Sequence, residues 1–391
     1  MATRGQPISI ICLSFFLILL LLHPHACTAR KFRGTMAGFM NVELGRLYHL
    51  DKIYQLGDSI SDTGNLVLES PHGSGFLFTR PPYGETTFGK PTGRCSNGLL
   101  MVDYFATAFG LPYLEPYKKA HANFKHGVNS AVAGATALSE EALKAKIITN
   151  PATNSSLSVQ LEWMASHFNS TCHTKEGCWE MLRNALFFVG EIGGNDYNYG
   201  FVQRKTLDEL TGLVPDVVQS ITDAVRRVIG FGARRVIVPS NFPIGCLPIY
   251  LSSFHTNNSA AYDEKHCLKD LNNFAEIHNE VLKASINVLK KEYPYVDIVY
   301  GDYYNAYLWL LSHAKRLRFG RNSLQKACCG SGSGPYNFDP RKMCGAEGVS
   351  ACPNPDKYIS WDGIHSTQRA YKYIAGYLLR SILPQMRMFH L

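Results

Sequence analysis

The sequence lacks most features that would divide it or take it out of the ordinary globular class. No internal repeat or low-complexity linker interrupts its 391 residues, which excludes a repeat array and points to one large domain. No Lys/Arg cluster is interleaved with aromatics. The formal charge of +8 is spread along the chain, so nucleic acid is not an expected partner. The cysteines are irregularly spaced and not interleaved with ligand histidines, which argues against a zinc site. Asp58 and Asp62 do not have the D-x-D spacing of an aspartyl-phosphate nucleophile or metal motif. Past Leu22 no apolar run approaches the roughly 20 residues that span a bilayer.

What is present fits a large core. The chain is 46% hydrophobic and only 18% charged. Its start reads as a targeting segment, with a lone early charge at Arg4, an apolar run from Ile8 to Leu22 and a small-residue cleavage site at Cys27-Thr28-Ala29. The expected organisation is a signal peptide over 1–29, an N-terminal arm over 30–50 and a single domain over 51–391, with no stable membrane insertion. That places the protein in the secretory pathway, bound for the extracellular space, the vacuole or the endoplasmic reticulum. Cleavage after Ala29 leaves Cys95, Cys172, Cys178, Cys246, Cys267, Cys328, Cys329, Cys344 and Cys352. In an oxidising compartment these read as disulfides, with Cys172–Cys178 and Cys246–Cys267 as local pairs. The count is odd, and Cys95 is the expected free thiol. Asn154, Asn169 and Asn257 begin N-x-S/T sequons and are expected glycosylation sites.

Hydrophobic patterning predicts alternating strands and helices. Strands are expected at Lys52–Leu56, Val128–Ala133, Leu186–Val189, Arg235–Pro239 and Val296–Tyr300, all short and rich in apolar residues. Helices are expected at Asn97–Phe109 with Ser96 as cap, around Leu157, Leu161, Met164 and Phe168, at Val217–Val228 ending near Gly230, at Leu268–Lys291 and at Thr367–Ile382. This alternation predicts an α/β fold, a mostly parallel five-stranded sheet between two helical layers. Between the first strand and helix, Ser70 to Gly98 is rich in Gly and Pro and reads as a long binding loop.

In such sheets ligands bind beyond the carboxyl ends of the strands. Three polar turns fall there: Ser59 after the first strand, Gly134 after the second and Asn195 after the third. Ser59 follows Gly57-Asp58 on a tight turn, where an α/β enzyme carries a nucleophile. Near the C-terminus, Asp362-Gly-Ile-His365 lets a carboxylate hold the Nδ1 proton of His365 and leave Nε2 free as a base. The remaining histidines, including His126 and His278, read as surface or core residues. Tyr83, Phe88, Tyr303 and Tyr304 read as packing, with pocket walls as the alternative, and Asp196 as a brace for the Asn195 turn.

Four blocks make the pattern specific. Gly57-Asp58-Ser59-Ile60, Asn129-Ser-Ala-Val-Ala-Gly134-Ala, Gly193-Gly194-Asn195-Asp196 and Asp362-Gly-Ile-His365 occur in order across the chain. Together they resemble the plant GDSL lipase/esterase family of the SGNH hydrolase superfamily, over Ile53 to about Leu383. Ile60 replaces the family's usual leucine. The resemblance implies an SGNH-type (flavodoxin-like) α/β/α sandwich and an esterase needing no metal or organic cofactor. It makes Ser59 the nucleophile, His365 the base and Asp362 its partner. The oxyanion hole would comprise the backbone N–H groups of Ser59 and Gly134 and the amide of Asn195. Further stretches, such as Pro82-Tyr83-Gly84-Glu85-Thr86 and Cys352-Pro353-Asn354-Pro355, resemble the acetylajmalan esterase and sinapine esterase-like branch. That branch implies a small ester of plant specialised metabolism. The family also includes acyltransferases, which pass the acyl group to an alcohol or amine.

Overall fold

The computed structural model describes residues 47–69, 75–149, 151–332 and 334–387. The expected signal peptide and most of the expected arm lie outside the described residues. Tyr48 and Leu50, at the end of that arm, are buried, and the Tyr48 hydroxyl donates to the Leu383 carbonyl at 3.1 Å.

The main elements are β1 (Lys52–Leu56), α1 (Met101–Ala108), β2 (Gly127–Asn129), α2 (Leu157–Thr171), β3 (Ala185–Val189), α3 (Gly194–Val202), α4 (Val214–Phe231), β4 (Arg235–Pro239), α5 (Lys269–Glu292), β5 (Asp297–Gly301), α6 (Tyr303–His313), β6 (Cys329–Gly330), β7 (Ser350–Ala351) and α7 (Gln368–Ile382). β1 to β5 form an all-parallel sheet in the order β2-β1-β3-β4-β5. Successive side chains alternate between its faces, because the strand period is two. Tyr54, Leu56, Phe187 and Val189 enter one core cluster with α2, α4 and α5. Ile53, Leu186 and Phe188 enter another with α1, α6 and α7. The fold is therefore the expected three-layer α/β/α sandwich, and helices on both faces explain why the strands read as nearly unbroken apolar runs.

β1 and β4 have the expected bounds, and three elements depart from expectation. β2 spans Gly127–Asn129 rather than Val128–Ala133. The Asn129 side chain accepts from the Ala131 N–H at 2.9 Å, a local turn that takes the backbone out of the strand. α1 begins at Met101, not Asn97, and Ser96 is not its cap. Ser96 Oγ instead accepts from Gly98 N–H at 3.3 Å, and Asp103 closes the helix start by accepting from Leu100 N–H at 2.8 Å. α4 runs through Gly230 and stops at Gly232, whose φ of 122° suits a residue without a Cβ. α6 was not anticipated from the sequence.

Disulfides join Cys172 to Cys178 and Cys246 to Cys267, as expected, and also Cys328 to Cys352 and Cys329 to Cys344. Cys95 is a free, buried thiol, also as expected. Among the described residues no helix is long and apolar enough to cross a membrane. Asn154, Asn169 and Asn257 are all exposed.

Candidate active site

The strand order explains how residues far apart in sequence meet. β1 carries Ser59 just beyond its carboxyl end and lies between β2 and β3. Those two neighbours lead to Gly134 and Asn195 respectively, so the three turns sit side by side at one sheet edge. The chain leaves β1 for β2 on one side and returns to β3 on the other, which makes this edge a topological switch point.

The turn after β1 is over-determined. Gly57 has a φ of 151°, and a Cβ there would lie 2.9 Å from the Glu191 carbonyl oxygen. Gln160, on the buried face of α2, clamps it by accepting from Gly57 N–H at 2.9 Å and donating to Gly57 O at 2.8 Å. Asp62 accepts four backbone N–H bonds, from Gly64, Asn65, Leu66 and Ala133, at 2.6–3.1 Å. Asp58 accepts from Ile60 N–H at 2.9 Å and from the Asn195 amide at 3.2 Å. Both aspartates thus hold loops in place. Burial pushes the Asp58 carboxyl up to about 7, with backbone N–H bonding and His365 acting in the opposite direction.

Ser59 Oγ lies 2.8 Å from His365 Nε2, and His365 Nδ1 lies 2.7 Å from Asp362 Oδ2. A carboxylate only accepts, so Nδ1 carries the proton and Nε2 accepts from the serine hydroxyl. Asp362 Oδ1 takes the backbone N–H groups of Ile364 and His365, at 2.9 and 2.7 Å. Its Oδ2 receives a further bond from the Tyr83 hydroxyl at 2.8 Å. Tyr83 therefore corrects the expectation of simple packing. Burial works against charge on His365, but the Asp362 carboxylate outweighs it and holds the imidazole above its ordinary value. Burial alone would raise Asp362, yet His365 and the N–H donors bring it below its usual value.

Beside Ser59 two backbone donors are open to a developing negative charge, and a third group, the Asn195 amide, would have to release one of its present acceptors to join them. The backbone N–H groups of Ser59 and Gly134 have no hydrogen-bond partner among the described residues. Gly134 has a φ of 82°, and a Cβ there would fall 2.8 Å from Ala152 Cβ. The third group, the Asn195 amide, donates to Ala135 O at 2.9 Å and to Asp58. Its orientation is fixed by a chain of contacts. Asn198 Nδ2 donates to Asn195 Oδ1 at 3.3 Å, and the Tyr250 hydroxyl donates to Asn198 Oδ1. Since Ala135 offers only a carbonyl, Asn195 must turn its NH2 that way, and each amide along the chain follows. Asp196, as expected, braces this turn by accepting from Ala137 and Leu138 N–H at 2.8 and 2.9 Å. That ties the helix bearing Asn195 to the loop bearing Gly134.

These groups open into a cavity of about 680 Å³. Its walls are mostly apolar, including Leu66, Phe242, Ile244, Leu247 and Phe254. Phe76, Leu77 and Phe78 show that the long loop after β1 does contribute wall. Phe88 instead packs against Arg94, 5.0 Å from its ring centroid, while His278 is a core residue 2.8 Å from the Tyr197 hydroxyl.

A serine, a histidine and an acid in this order, beside free N–H donors, meet the family-level comparison directly. The profile of the GDSL-like lipase/acylhydrolase family matches residues 53–378. The chain belongs to that family. It is similar to an acetylajmalan esterase of Rauvolfia serpentina, with 44% identity covering 89% of this chain and 90% of that protein. It is also similar to a GDSL esterase/lipase of Arabidopsis thaliana, with 46% identity covering 84% of this chain and 83% of that one. As a member of this family the protein is a carboxylic ester hydrolase.

Gln160 and Asn198 have no assigned role in the sequence, and Tyr83 none beyond packing or a pocket wall. Gln160 left a trace, since it is a polar residue on the apolar stripe of Leu157, Leu161 and Met164. Tyr83 left none beyond its place in the Pro82–Thr86 stretch, and Asn198 left none.

Proposed function

We propose that the protein is a serine esterase of the secretory pathway that cleaves a small ester of plant specialised metabolism through an acyl-enzyme on Ser59. The observation that carries this reading is the unbroken hydrogen-bonded line from Ser59 through His365 to Asp362 beside two unpartnered backbone N–H groups. His365 Nε2 takes the hydroxyl proton as Ser59 Oγ bonds to the ester carbon. The carbonyl oxygen becomes an oxyanion facing Ser59 N–H, Gly134 N–H and the Asn195 amide, each donor being worth roughly 3 kcal/mol at comparable sites. His365 then gives its proton to the departing alcohol, and the carbon–oxygen bond to it breaks. A water, deprotonated by the same nitrogen, releases the acid and restores Ser59.

The largely apolar cavity, about 680 Å³ in volume, supports a substrate of metabolite size with few charges. The relative named as an acetylajmalan esterase supports an acetyl ester, and methyl and aromatic-acyl esters are the other candidates. The exposed sequons at Asn154, Asn169 and Asn257 and the four disulfides support passage through the secretory route, ending in the extracellular space, the vacuole or the endoplasmic reticulum.

Screening acetyl, methyl and aromatic-acyl esters against wild type and Ser59→Ala tests the reading. Turnover should vanish in a variant that stays folded, and wild-type rates in Ser59→Ala would overturn it. Product analysis with added alcohols or amines reports whether the acyl group leaves to water or to an acceptor.

A further inference from the structure

The buried carboxyl groups around the site are almost all engaged. Asp62, Asp58, Asp196 and Asp362 accept backbone or side-chain donors, and Asp103 holds Arg94 in a two-point contact at 2.9 and 3.0 Å. Glu191 is the exception. It lies two residues past β3, is only 5% exposed, and its side chain has no hydrogen bond or ion pair among the described residues. It nevertheless faces the same cavity as Ser59. Its Oε1 lies 3.3 Å from the position a Cβ on Gly194 would take, beside the residue that precedes Asn195.

The Glu191 oxygens are not sealed off from the cavity as a fully buried polar group would be, so the carboxyl is presented, without a protein partner among the described residues, to whatever enters. It therefore reads as a group awaiting a partner that enters the cavity. Two features define that partner. The nearest ionisable neighbours, Asp58 and Asp196, are both acidic, so Glu191 is held well above the usual carboxyl range by burial first and by these two next. The surrounding walls include Phe242, Tyr250 and Tyr307 and no Lys or Arg, His365 being the basic group among the lining residues. That setting favours the neutral form of the carboxyl, which can donate an O–H as well as accept.

We propose that Glu191 is a specificity residue that donates a hydrogen bond to an oxygen on the substrate outside the scissile ester, so that the enzyme selects oxygenated esters over plain alkyl ones. The oxygen class is a hydroxyl, ether or carbonyl. This rests on Ser59 as the nucleophile facing the same cavity. A site built to bond a substrate oxygen rejects the analogue lacking it, because the buried group is again left alone.

The test compares matched esters: hexyl acetate with its ω-hydroxyl analogue, ethyl hexanoate with its ω-hydroxyl analogue, and series in which the hydroxyl moves along either chain. Each is measured with wild type, Glu191→Gln and Glu191→Leu. Wild type should favour at least one hydroxylated ester over its alkyl counterpart by roughly tenfold in kcat/KM. Glu191→Gln, neutral and still a donor, should keep that ratio. Glu191→Leu should abolish it while melting no lower than wild type, a result a purely structural glutamate would not give. The proposal is overturned if wild type shows no preference, if the preference survives in Glu191→Leu, or if Glu191→Gln loses it as well. The last result would mean that an anionic carboxylate does the binding. The catalytic reading is judged separately, by loss of wild-type hexyl acetate hydrolysis in Ser59→Ala.

Discussion

The Tyr83 hydroxyl and His365 Nδ1 share one acceptor, Asp362 Oδ2, at 2.8 and 2.7 Å. The tyrosine comes from the long loop after β1 and the acid from a loop 279 residues later, so this bond ties the cavity wall to the base. It also moderates the acid. A donor to the carboxylate spreads its charge and weakens its hold on the imidazolium proton.

Removing that donor should therefore raise His365 further. The imidazole acts as a base only when neutral, and it already titrates above its ordinary 6.5. The acid limb of the wild-type kcat/KM profile should lie above that value, with activity lost as pH falls through it. In Tyr83→Phe the limb should move to still higher pH, and kcat/KM at neutral pH should fall about fivefold to tenfold. A pH–rate profile of both proteins checks this, and an unmoved limb would mean that Tyr83 only packs.

The Tyr250–Asn198–Asn195 chain predicts a kinetic signature. In the proposed role Asn195 turns an N–H to the oxyanion as it releases Asp58, which requires its amide to keep the orientation set by its neighbours. Asn198→Leu should lower kcat about tenfold with little change in KM, and Tyr250→Phe should lower it less. Steady-state kinetics on a single ester decides between this and a loss confined to KM, which would place both residues in binding alone.

Gln160 predicts a change in stability. Replacing it with leucine leaves the buried Gly57 N–H without a partner, at about 1–3 kcal/mol, and removes one of the two donors to Gly57 O, which keeps the Val132 N–H at 3.1 Å. Thermal unfolding should drop by several degrees, and kcat should fall with it because the Ser59 turn follows directly. Glu in its place would keep the acceptor and lose the donor, and should be intermediate.

The cysteine-rich segment predicts a link between redox state and activity. Cys329 N–H donates to Trp361 O at 2.7 Å and Cys328 N–H to Ser360 O at 3.1 Å, on the residues just before Asp362. The Cys329–Cys344 bridge spans 15 residues and should contribute about 3 kcal/mol. The double variant Cys329→Ser with Cys344→Ser should lose stability and kcat together. Loss of the Cys172–Cys178 bridge, at the end of α2 and away from the cavity, should leave kcat nearly intact. Melting curves and rates for the two pairs separate these cases.

Much of the frame was legible because burial leaves a periodic trace. β1 and β4 are apolar runs covered on both faces, and α2, α4, α5 and α7 carry stripes at helical spacing. α6 was illegible because it is rich in aromatic and apolar residues on most sides, including Tyr303, Tyr307, Leu310 and Leu311, which leaves no stripe. β2 ended early because the Asn129 side chain competes with the ladder. In the site, Ser59, Gly134, Asn195, Asp362 and His365 stood out because each falls on a turn at a strand end or on a short motif. The groups around them did not. Gln160 meets Gly57 across 103 residues and Tyr83 meets Asp362 across 279, and such pairings leave no local pattern.

Every proposed step passes through a covalent bond at Ser59. Rapid quenching of the enzyme during turnover of 4-nitrophenyl acetate, followed by peptide mass mapping, reads it directly. An acetyl group is expected on the peptide bearing Ser59, accumulating in a burst, and none in Ser59→Ala. Full turnover with no acylated serine, or an acetyl group carried by another residue, would contradict the acyl-enzyme route.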